Sequence, residues 1–464
     1  MRASPARADY LAVEAKDVAI IGGGFAGLSA GVALAQRGFR VALLEAKPHL
    51  GGRAYSFTQS DGDDFIDNGQ HVLMGCYHET LAFLKTIGTR DRLVAHRDLE
   101  IEMLAGPGQR GVLKTARLPG PFHMTGALFR YQHLTLAERV SLLRAGLRLM
   151  YLRRFGRARL RQMTVAEFMN QSRQSEKARQ SFWYPLVLAT LNESPEAASA
   201  MLLAEVLKRA FFSRRSDSAF LYSTVGLSDL YCGASEKIIE RNDGVVACRA
   251  IVERFELDDE GRIGTVRLRD GRGLRASNFI SAVTPDRLLA MLPEGATADP
   301  AFRGLGELKG SPIICAHVWL DREITRAAFI GFIGTQTQWL FNKRRIFAQN
   351  SDEKSGYLSF VISGARDLVD QSSNDLVEIV LRDLRAMIPA SRQAKVAKAL
   401  VIKEKQATIG IDPASDALRP NVTTSIPNLF LAGDWTQTGL PATIESAVVS
   451  GNRAAKMIID KVGA

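Results

Sequence analysis

Three glycines near the start of the chain have the spacing of a phosphate-binding loop. Gly22, Gly24 and Gly27 follow the apolar run at 18–21 in the order G-x-G-x-x-G. These positions permit a tight turn, a close approach of the backbone to phosphates, and close packing of the next helix on the strand. The spacing predicts a dinucleotide site, although the loop alone leaves a plain strand-to-helix turn open.

A carboxylate ends the second apolar run of this unit. The run at 41–44 is followed by Glu45, about 20 residues beyond the glycines, where a carboxylate binds the ribose hydroxyls of an adenosine. A 2′-phosphate would be repelled there, so the pattern favours NAD or FAD over NADP.

A second signature near the end of the chain distinguishes between these two nucleotides. Gly433 and Asp434 follow a strand-like run, and Ala442, Thr443 and Ile444 begin a helix-like one. Asp434 is placed to accept a hydrogen bond from a ribityl hydroxyl, and a helix N-terminus stabilises negative charge on the pyrimidine side of a reduced flavin. Taken alone this is an ordinary strand–loop–helix, but joined to the first loop it predicts FAD.

Two further segments that could contribute to the site lie between these signatures in the chain. Gly52 and Arg53 would bring the backbone and a permanent cation close to the cofactor, with a surface arginine after a turn as the alternative. The segment "FIDNGQHVLMGCY" places Asp67, His71 and Tyr77 among apolar residues. Such a cluster is either an ordered hydrogen-bond network or an active-site wall.

Long segments of the chain resemble a known superfamily. "GGGFAGLSAGVALAQRGFRVALLEAKPHLGGRA" and "LFLAGDWTQTGLPATIESAVVSGNRAA" resemble the flavin-containing amine oxidases and phytoene desaturases. "DNGQHVLMGCY", "FWYPLVLATLNESPEAASAMLLAEVLKRAFF", "GLSDLY" and "QWLFN" resemble the squalene-associated FAD-dependent branch, the hydroxysqualene dehydroxylases. The resemblance extends over residues 18–459.

This resemblance implies FAD as the cofactor and a set of contacts with it. The implied contacts are the pyrophosphate at Gly22, Gly24, Phe25, Ala26 and Gly27, the adenosine ribose at Glu45, the pyrophosphate and ring edge at Gly52 and Arg53, the adenine at Val252, the ribityl chain at Gly433 and Asp434, and the isoalloxazine at Ala442, Thr443 and Ile444.

The resemblance also implies a reaction, the reductive removal of the hydroxyl of hydroxysqualene to give squalene. Protonation of the hydroxyl leaves an allylic cation that reduced FAD can quench with hydride. The candidate proton donors are His71, Asp67 and Tyr77, with a structural, hydrogen-bonded histidine as the alternative for His71. A carotenoid or isoprenoid desaturase, a flavin amine oxidase and a non-catalytic flavoprotein stay open. An amine oxidase would require an aromatic cage and an oxygen-activating lysine, and neither can be placed in the sequence.

The order of apolar runs and turns predicts an α/β fold. We expect a Rossmann-like FAD-binding domain, with a parallel sheet and an antiparallel hairpin element at 245–282, interleaved with an α+β substrate domain that has a mainly helical insertion. The FAD-binding domain is expected at 17–75, 230–300 and 415–464. The substrate domain is expected at 76–229 and 301–414, with its helical and possible membrane-facing segment at 120–215. Amphipathic helices are expected at 136–152 and 201–212.

Charge and composition indicate the partners. The net charge is +11, and eight arginines without any acidic residue fall at 139–161. A basic, leucine-rich helix there either lies on an anionic membrane or packs its leucines against the core, and both interpretations stay open. We expect a cytoplasmic protein, peripheral on the inner face of the cytoplasmic membrane under the first interpretation.

The partners implied are a long isoprenoid (triterpene) substrate and the upstream enzymes of the squalene pathway. Nucleic acid and metal are not expected, because no nucleic-acid motif and no C-x-x-C pair occurs.

Overall fold

The structure, a computed structural model, describes residues 16–59, 64–95, 98–347 and 355–463. Its strands are β1 (Lys16–Ile21), β2 (Val41–Glu45), β3 (Ser56–Thr58), β4 (Phe65–Asp67), β5 (Leu73–Met74), β6 (Leu93–Ala95), β7 (Glu100–Leu104), β8 (Arg110–Lys114), β9 (Phe220–Ser223), β10 (Val245–Cys248), β11 (Val252–Leu257), β12 (Ile263–Leu268), β13 (Gly273–Leu274), β14 (Ala276–Ser281), β15 (Gly310–Leu320), β16 (Phe329–Phe332), β17 (Trp339–Asn342), β18 (Gly356–Ser363), β19 (Val396–Ile409) and β20 (Leu429–Leu431).

The α-helices surround these strands and form a separate helical segment in the first half of the chain. They are α1 (Phe25–Ala35), α2 (His78–Thr86), α3 (Phe122–Arg130), α4 (Leu136–Phe155), α5 (Arg157–Arg161), α6 (Val165–Gln171), α7 (Glu176–Ala178), α8 (Tyr184–Leu191), α9 (Ala200–Ala210), α10 (Leu227–Arg241), α11 (Pro285–Met291), α12 (Pro300–Arg303), α13 (Lys343–Ile346), α14 (Ser373–Met387), α15 (Pro413–Ala417) and α16 (Ile444–Val462).

A parallel sheet carries the nucleotide-binding signatures. Its order is β10-β2-β1-β14-β20, and each neighbouring pair is parallel. The strands β1 and β2 are almost entirely buried, as their continuous apolar runs require when helices cover both faces of a sheet. Helices α1 and α16 pack against each other beside this sheet. The expected α/β class and the parallel sheet are therefore confirmed.

The hairpin element is smaller than predicted. Strands β11, β12 and β13 form an antiparallel sheet, as expected from the turn signals. The flanking strands β10 and β14 belong to the parallel sheet instead, so the assignment of all of 245–282 to the hairpin was wrong. The chain leaves the parallel sheet at Arg249, whose positive φ of 61° turns it toward β11.

The second large sheet has seven strands. Its order is β19-β15-β18-β17-β16-β7-β8, with all neighbours antiparallel except β16 and β7. The edge strand β19 was not predicted. Its pairing with β15 is irregular, because Ser311 lies opposite Thr408 whereas Ile313 lies opposite Glu404. Two extra residues of β19 therefore bulge between these pairs.

The helical segment contains the two helices predicted at 136–152 and 201–212 as α4 and α9, but only α9 is amphipathic, so that part of the prediction was wrong for α4. Thr135 and Glu138 form a capping box that starts α4. Leu149 on α4 is fully buried, whereas Tyr151 and Phe155 on the same helix are 62% and 70% exposed. The helix thus has one apolar face toward the core and a second one at the surface. None of the described helices combines the length and apolar character needed to cross a bilayer.

Candidate active site

A cavity of about 790 Å³ lies at the carboxyl ends of β1 and β2, between the two large sheets. Ligands of open parallel sheets bind at this edge. The glycine loop, the segment after β4, the start of β11 and the start of α16 contribute to its wall, and so do Ile313 and Glu404 from the second sheet. The residues of the nucleotide-binding signatures therefore lie together around this cavity. They are joined there by residues from a part of the chain that contains no recognisable motif.

The glycine loop needs its glycines for different reasons. Gly22 has a φ of +111°, which a residue with a side chain rarely adopts. A Cβ on Gly27 would stand 1.9 Å from the carbonyl oxygen of Gly22, so the helix could not approach the strand as it does. Gly24 and Gly52 face each other, and a Cβ on Gly52 would stand 3.1 Å from the Cα of Gly24. The two glycines thus keep the backbone bare where a pyrophosphate would pass.

Glu45 is the last residue of β2 and points toward the loop. Its two carboxylate oxygens accept hydrogen bonds from the backbone N–H groups of Gly23 and Lys47, both at 2.8 Å. Each oxygen keeps a lone pair for a further donor. The backbone thereby orients Glu45 for the ribose hydroxyls that the sequence predicted.

Arg53 and Asp434 connect the two ends of the chain in the cavity wall. The guanidinium of Arg53 donates to Asp434 Oδ1 at 2.5 Å and to the carbonyl oxygen of Ala407 at 3.2 Å. Burial opposes the charge of Arg53, but the carboxylate of Asp434 more than compensates and raises the pKa of Arg53 above its usual value. Arg53 thus carries a stable positive charge in the cavity wall, and it also holds a strand of the second sheet.

A buried arginine that the sequence did not reveal supports the segment after β20. Arg419 donates to the carbonyl oxygens of Asp434, Thr436 and Leu440, at 3.0, 2.6 and 2.7 Å. Burial lowers the pKa of Arg419, and the carboxylate of Asp416 opposes that effect. Arg419 therefore fixes the loop that leads from Asp434 to the start of α16.

The N-terminus of α16 opens on the cavity. Thr443 is its N-cap, and Ile444 and Ala447 also line the cavity. The acidic residue of the first turn, Glu445, turns away and accepts hydrogen bonds from the backbone N–H groups of Glu79 and Thr80 at the start of α2. The positive end of α16 is thus left for a ligand, as a reduced flavin requires.

The predicted polar cluster is divided between the cavity and the protein interior. Asp67 lies at the end of β4, where it accepts a hydrogen bond from Ser56 at 2.6 Å and pairs with the fully buried Lys343 at 2.7 Å. Burial acts to raise the pKa of Asp67, but the ammonium of Lys343 more than offsets this, so the pKa is below its usual range. Asp67 is thus an ionised anchor beneath the loop at 68–71, and the residues that line the cavity do not include it.

His71 does line the cavity, at the end of the same loop. Burial lowers the pKa of His71 to about 4, with further repulsion from Lys343 and Arg53 against the attraction of Asp67. The ring is therefore neutral near pH 7. His71 Nε2 and the neighbouring Gln70 Oε1 are buried without a hydrogen-bond partner within the described structure. Both atoms call for a bound group that can satisfy them.

Tyr77 lies outside the main cavity. It lines a separate, smaller cavity of about 40 Å³ with Met74, Val206 and Leu440. Burial raises the pKa of Tyr77, and its hydroxyl contacts the side chain of Thr443. The structure therefore places Tyr77 behind the start of α16.

Most of the predicted cofactor residues meet in one place. Those that line the cavity are Gly22, Gly24, Phe25, Ala26, Glu45, Gly52, Arg53, Val252, Gly433, Asp434, Ala442, Thr443 and Ile444. Gly27 stands behind the loop and acts through packing. Sequence reasoning missed the contribution of β15 and β19, which is Ile313, Glu404, Ala407 and Thr408, and it also missed lining residues around α11 and after Asp434, among them Arg287, Met291 and Trp435.

The residues present fit FAD. Facing glycines form a bare cradle, and Glu45 stands where a ribose carboxylate is predicted. The N-terminus of α16 lines the same cavity, and so do Gln70 and His71, each of which has an unsatisfied buried polar atom. These are features that FAD needs, and the predicted adenine contact Val252 and the predicted ring contact Thr443 both line this cavity.

Comparison with known proteins agrees with this fit. The model of the flavin containing amine oxidoreductase family matches residues 25–459, so the chain belongs to that family. The chain is 29% identical to the hydroxysqualene dehydroxylase of Sinorhizobium fredii over 454 residues, 96% of this chain and 99% of that protein. It is 24% identical to the 15-cis-phytoene desaturase of Synechococcus elongatus over 457 residues, 95% of each.

Solved structures extend the comparison to the fold. The cyclohexylamine oxidase of Brevibacterium oxydans superposes with a TM-score of 0.71 at 16% identity, covering 97% of this chain and 100% of that one. The predicted family resemblance, including that to the hydroxysqualene dehydroxylases, is confirmed. The chain is an FAD-dependent oxidoreductase.

Proposed function

We propose that the protein removes the hydroxyl of hydroxysqualene reductively and releases squalene. The observation that carries this proposal is the near full-length similarity to a hydroxysqualene dehydroxylase, together with a cavity that fits FAD and is lined on one side by the second sheet. An isoprenoid desaturase is the second candidate, because a phytoene desaturase matches over the same length.

Each part of the cavity has a task in this reaction. Gly22, Gly24 and Gly52 would hold the pyrophosphate and Glu45 the ribose, and α16 would direct its positive end at the ring. Bound reduced FAD supplies the hydride that replaces the hydroxyl. The neutral ring of His71 would hydrogen-bond the hydroxyl or the flavin edge through Nε2 and so orient the reacting carbon.

The three predicted proton donors differ in how well they suit that role. Asp67 is ionised and held by Lys343, and Tyr77 stands behind α16. His71 faces the cavity, but a neutral imidazole releases a proton poorly. These contacts favour His71 as an orienting residue and require the acid to come from elsewhere.

The amine oxidase alternative has less support from the cavity. Among its described lining residues the single lysine is Lys47, whose ammonium donates to the carbonyl oxygen of Gly52. The buried Lys343 is paired with Asp67. Neither lysine is free to assist the reaction of reduced flavin with oxygen.

An anaerobic incubation tests the reaction. The protein is loaded with FAD, reduced with dithionite and mixed with hydroxysqualene, and the extract is separated by chromatography. We expect squalene and reoxidised flavin in equal amounts. A more unsaturated product formed from squalene or phytoene by the oxidised enzyme would instead establish desaturation.

We further propose that the surface face of α4 docks on an anionic membrane, from which such an insoluble substrate would enter. Leu147, Tyr151 and Phe155 are 54%, 62% and 70% exposed at helical spacing, and the guanidinium of Arg154 lies over the Phe155 ring. Exposed aromatic and aliphatic side chains beside arginines suit the interface of an anionic bilayer.

Not all arginines of the basic segment are free for lipid. Arg153 pairs with Glu205 and Arg148 donates to the carbonyl oxygen of Gln171, so these two hold the helices together. Replacing Leu147, Tyr151 and Phe155 by serine should abolish flotation with phosphatidylglycerol-containing vesicles. Val462→Ser, which removes an equally exposed apolar residue from α16, should not. Unchanged flotation of the triple variant would rule out this face.

A further inference from the structure

The acid that the reaction needs has a candidate in the cavity wall. We propose that Glu404 gives its proton to the departing hydroxyl oxygen and then faces the allylic cation as a carboxylate. This inference rests on the proposed function, since it assigns the proton donor of that same reaction.

The first step is an elimination among the carboxyl groups of the cavity. The described residues that line it include four of them: Glu45, Glu253, Glu404 and Asp434. Glu45 is held by two backbone N–H groups at the ribose position, and Asp434 is paired with Arg53. Glu253 pairs with the exposed Arg254 beside the expected adenine position. The side chain of Glu404 has no hydrogen bond and no ion pair to any residue that the structure describes.

The second step is the position of Glu404. It lies opposite Ile313 in the second sheet, which forms the wall that faces the FAD-binding loops. Directly after it, β19 carries two extra residues before the pairing resumes at Thr408. Bulges of this kind re-aim side chains and are common beside active sites. Here the bulge coincides with the stretch of β19 that lines the cavity, from Glu404 to Thr408.

The third step is charge. Burial and the charge of Glu404 together raise the pKa of Tyr55, and Glu404 also acts electrostatically on Arg53, so its carboxylate lies near both residues. A hydrocarbon substrate excludes water from the cavity, so water cannot replace the carboxyl group as the proton source.

The step balances in atoms and electrons. The O–H bond of Glu404 breaks and a new O–H bond forms on the substrate. The C–O bond then breaks and its electron pair leaves with water. The allylic cation that remains gains the hydride supplied by reduced FAD, which is the two-electron reductant, and the carboxylate opposes the positive charge until then.

A charge-matched ligand tests the role of Glu404 without turnover. The probe is an isoprenoid tertiary amine whose ammonium replaces the cationic carbon, titrated into the FAD-loaded protein and followed by flavin absorbance. E404Q should bind this probe at least about tenfold more weakly than the wild type, because the opposing charge is gone. The neutral product squalene should bind E404Q and the wild type equally.

Single-turnover oxidation of the reduced flavin by hydroxysqualene gives the second readout. E404Q should slow this step by about a hundredfold or more, and E404D should recover part of the rate. E378Q is the matched control, because it removes an exposed carboxylate from α14 on the same domain and should change neither readout. Flavin content and thermal unfolding verify that each variant is folded.

The outcomes separate the two proposals. Equal binding of the ammonium probe by E404Q and the wild type, or an unchanged single-turnover rate, would overturn the role of Glu404. A wild-type protein that binds the probe through Glu404 but forms no squalene would overturn the proposed reaction and leave the cation-binding role in place.

Discussion

Lys343 and Asp67 form an ion pair that is buried completely between two distant parts of the chain. The Nζ–Oδ2 distance is 2.7 Å, and the two side chains are 0% and 5% exposed. Asp67 ends β4 and begins the loop that reaches His71, whereas Lys343 follows β17 of the second sheet. The pair therefore connects the flavin-facing loop to the sheet on the other side of the cavity.

Removing Lys343 should cost far more stability than removing an exposed lysine. K343M would leave the Asp67 carboxylate buried without its partner, and we expect the free energy of unfolding to fall by about 3–5 kcal/mol. K405M breaks a pair of 65% and 81% exposed side chains, Lys405 with Asp370, and should change the stability very little, because water screens and replaces this contact. Urea denaturation measures both. Similar losses in the two variants would contradict the structural importance of the buried pair.

Gly27→Ala should prevent FAD binding. The added Cβ would meet the carbonyl oxygen of Gly22 and push α1 away from the phosphate loop. The ratio of flavin to protein absorbance after purification should fall to near zero. Gly233→Ala is the control, because a Cβ there meets nothing within 4 Å on α10. It should keep its flavin and gain up to about 1 kcal/mol of stability. Full flavin content in Gly27→Ala would contradict this prediction, because it would show that α1 can shift without loss of FAD binding.

The sequence predicted the cofactor half of the site much better than the substrate half. Gly22 and Glu45 were found because a phosphate loop and its ribose carboxylate depend on local spacing, which one βαβ unit contains within itself. Asp434 was found because it belongs to a second local pattern, a strand, a loop and a helix, near the end of the chain. Arg419 has no such pattern, because most of its partners are carbonyl oxygens, which any residue supplies.

Several residues and strands of the structure were not predicted from the sequence, mostly because their partners are distant in the chain. The partners Asp67 and Lys343 are 276 residues apart, and no local pattern connects them. Strand β19 escaped notice because its lysines, which suit an exposed sheet edge, interrupt the apolar alternation that indicates a strand. Glu404 was missed with it. Strand β10 was assigned to the hairpin because its β-rich run continues into β11, and the separating turn at Arg249 lacks a glycine or proline signal.

The neutral His71 should make stability depend on pH in a defined window. The pKa of His71 is about 4 in the folded protein against 6.5 for an ordinary histidine. Between these values the unfolded chain binds more protons, so the free energy of unfolding should fall as the pH decreases from about 6.5 to 4 and should be unaffected by His71 above this window. H71Q should remove about 2–3 kcal/mol of that decrease. Denaturation of the FAD-free protein across this range measures it. A difference between H71Q and the wild type that does not change with pH would mean that His71 is not held neutral.

Arg419 should control FAD affinity without touching the cofactor. Its guanidinium donates to three carbonyl oxygens between Asp434 and Leu440, and a lysine ammonium at that depth cannot reach all of them. R419K should leave buried carbonyl groups unsatisfied, lower the free energy of unfolding by about 2–4 kcal/mol and weaken FAD binding at least about tenfold. Arg453 contacts the same loop from the exposed side, through the carbonyl oxygens of Gln437 and Thr438, where water can replace it. R453M should therefore bind FAD nearly as the wild type does in a fluorescence titration. If R419K and R453M weaken FAD binding equally, the loop is not fixed from its buried side.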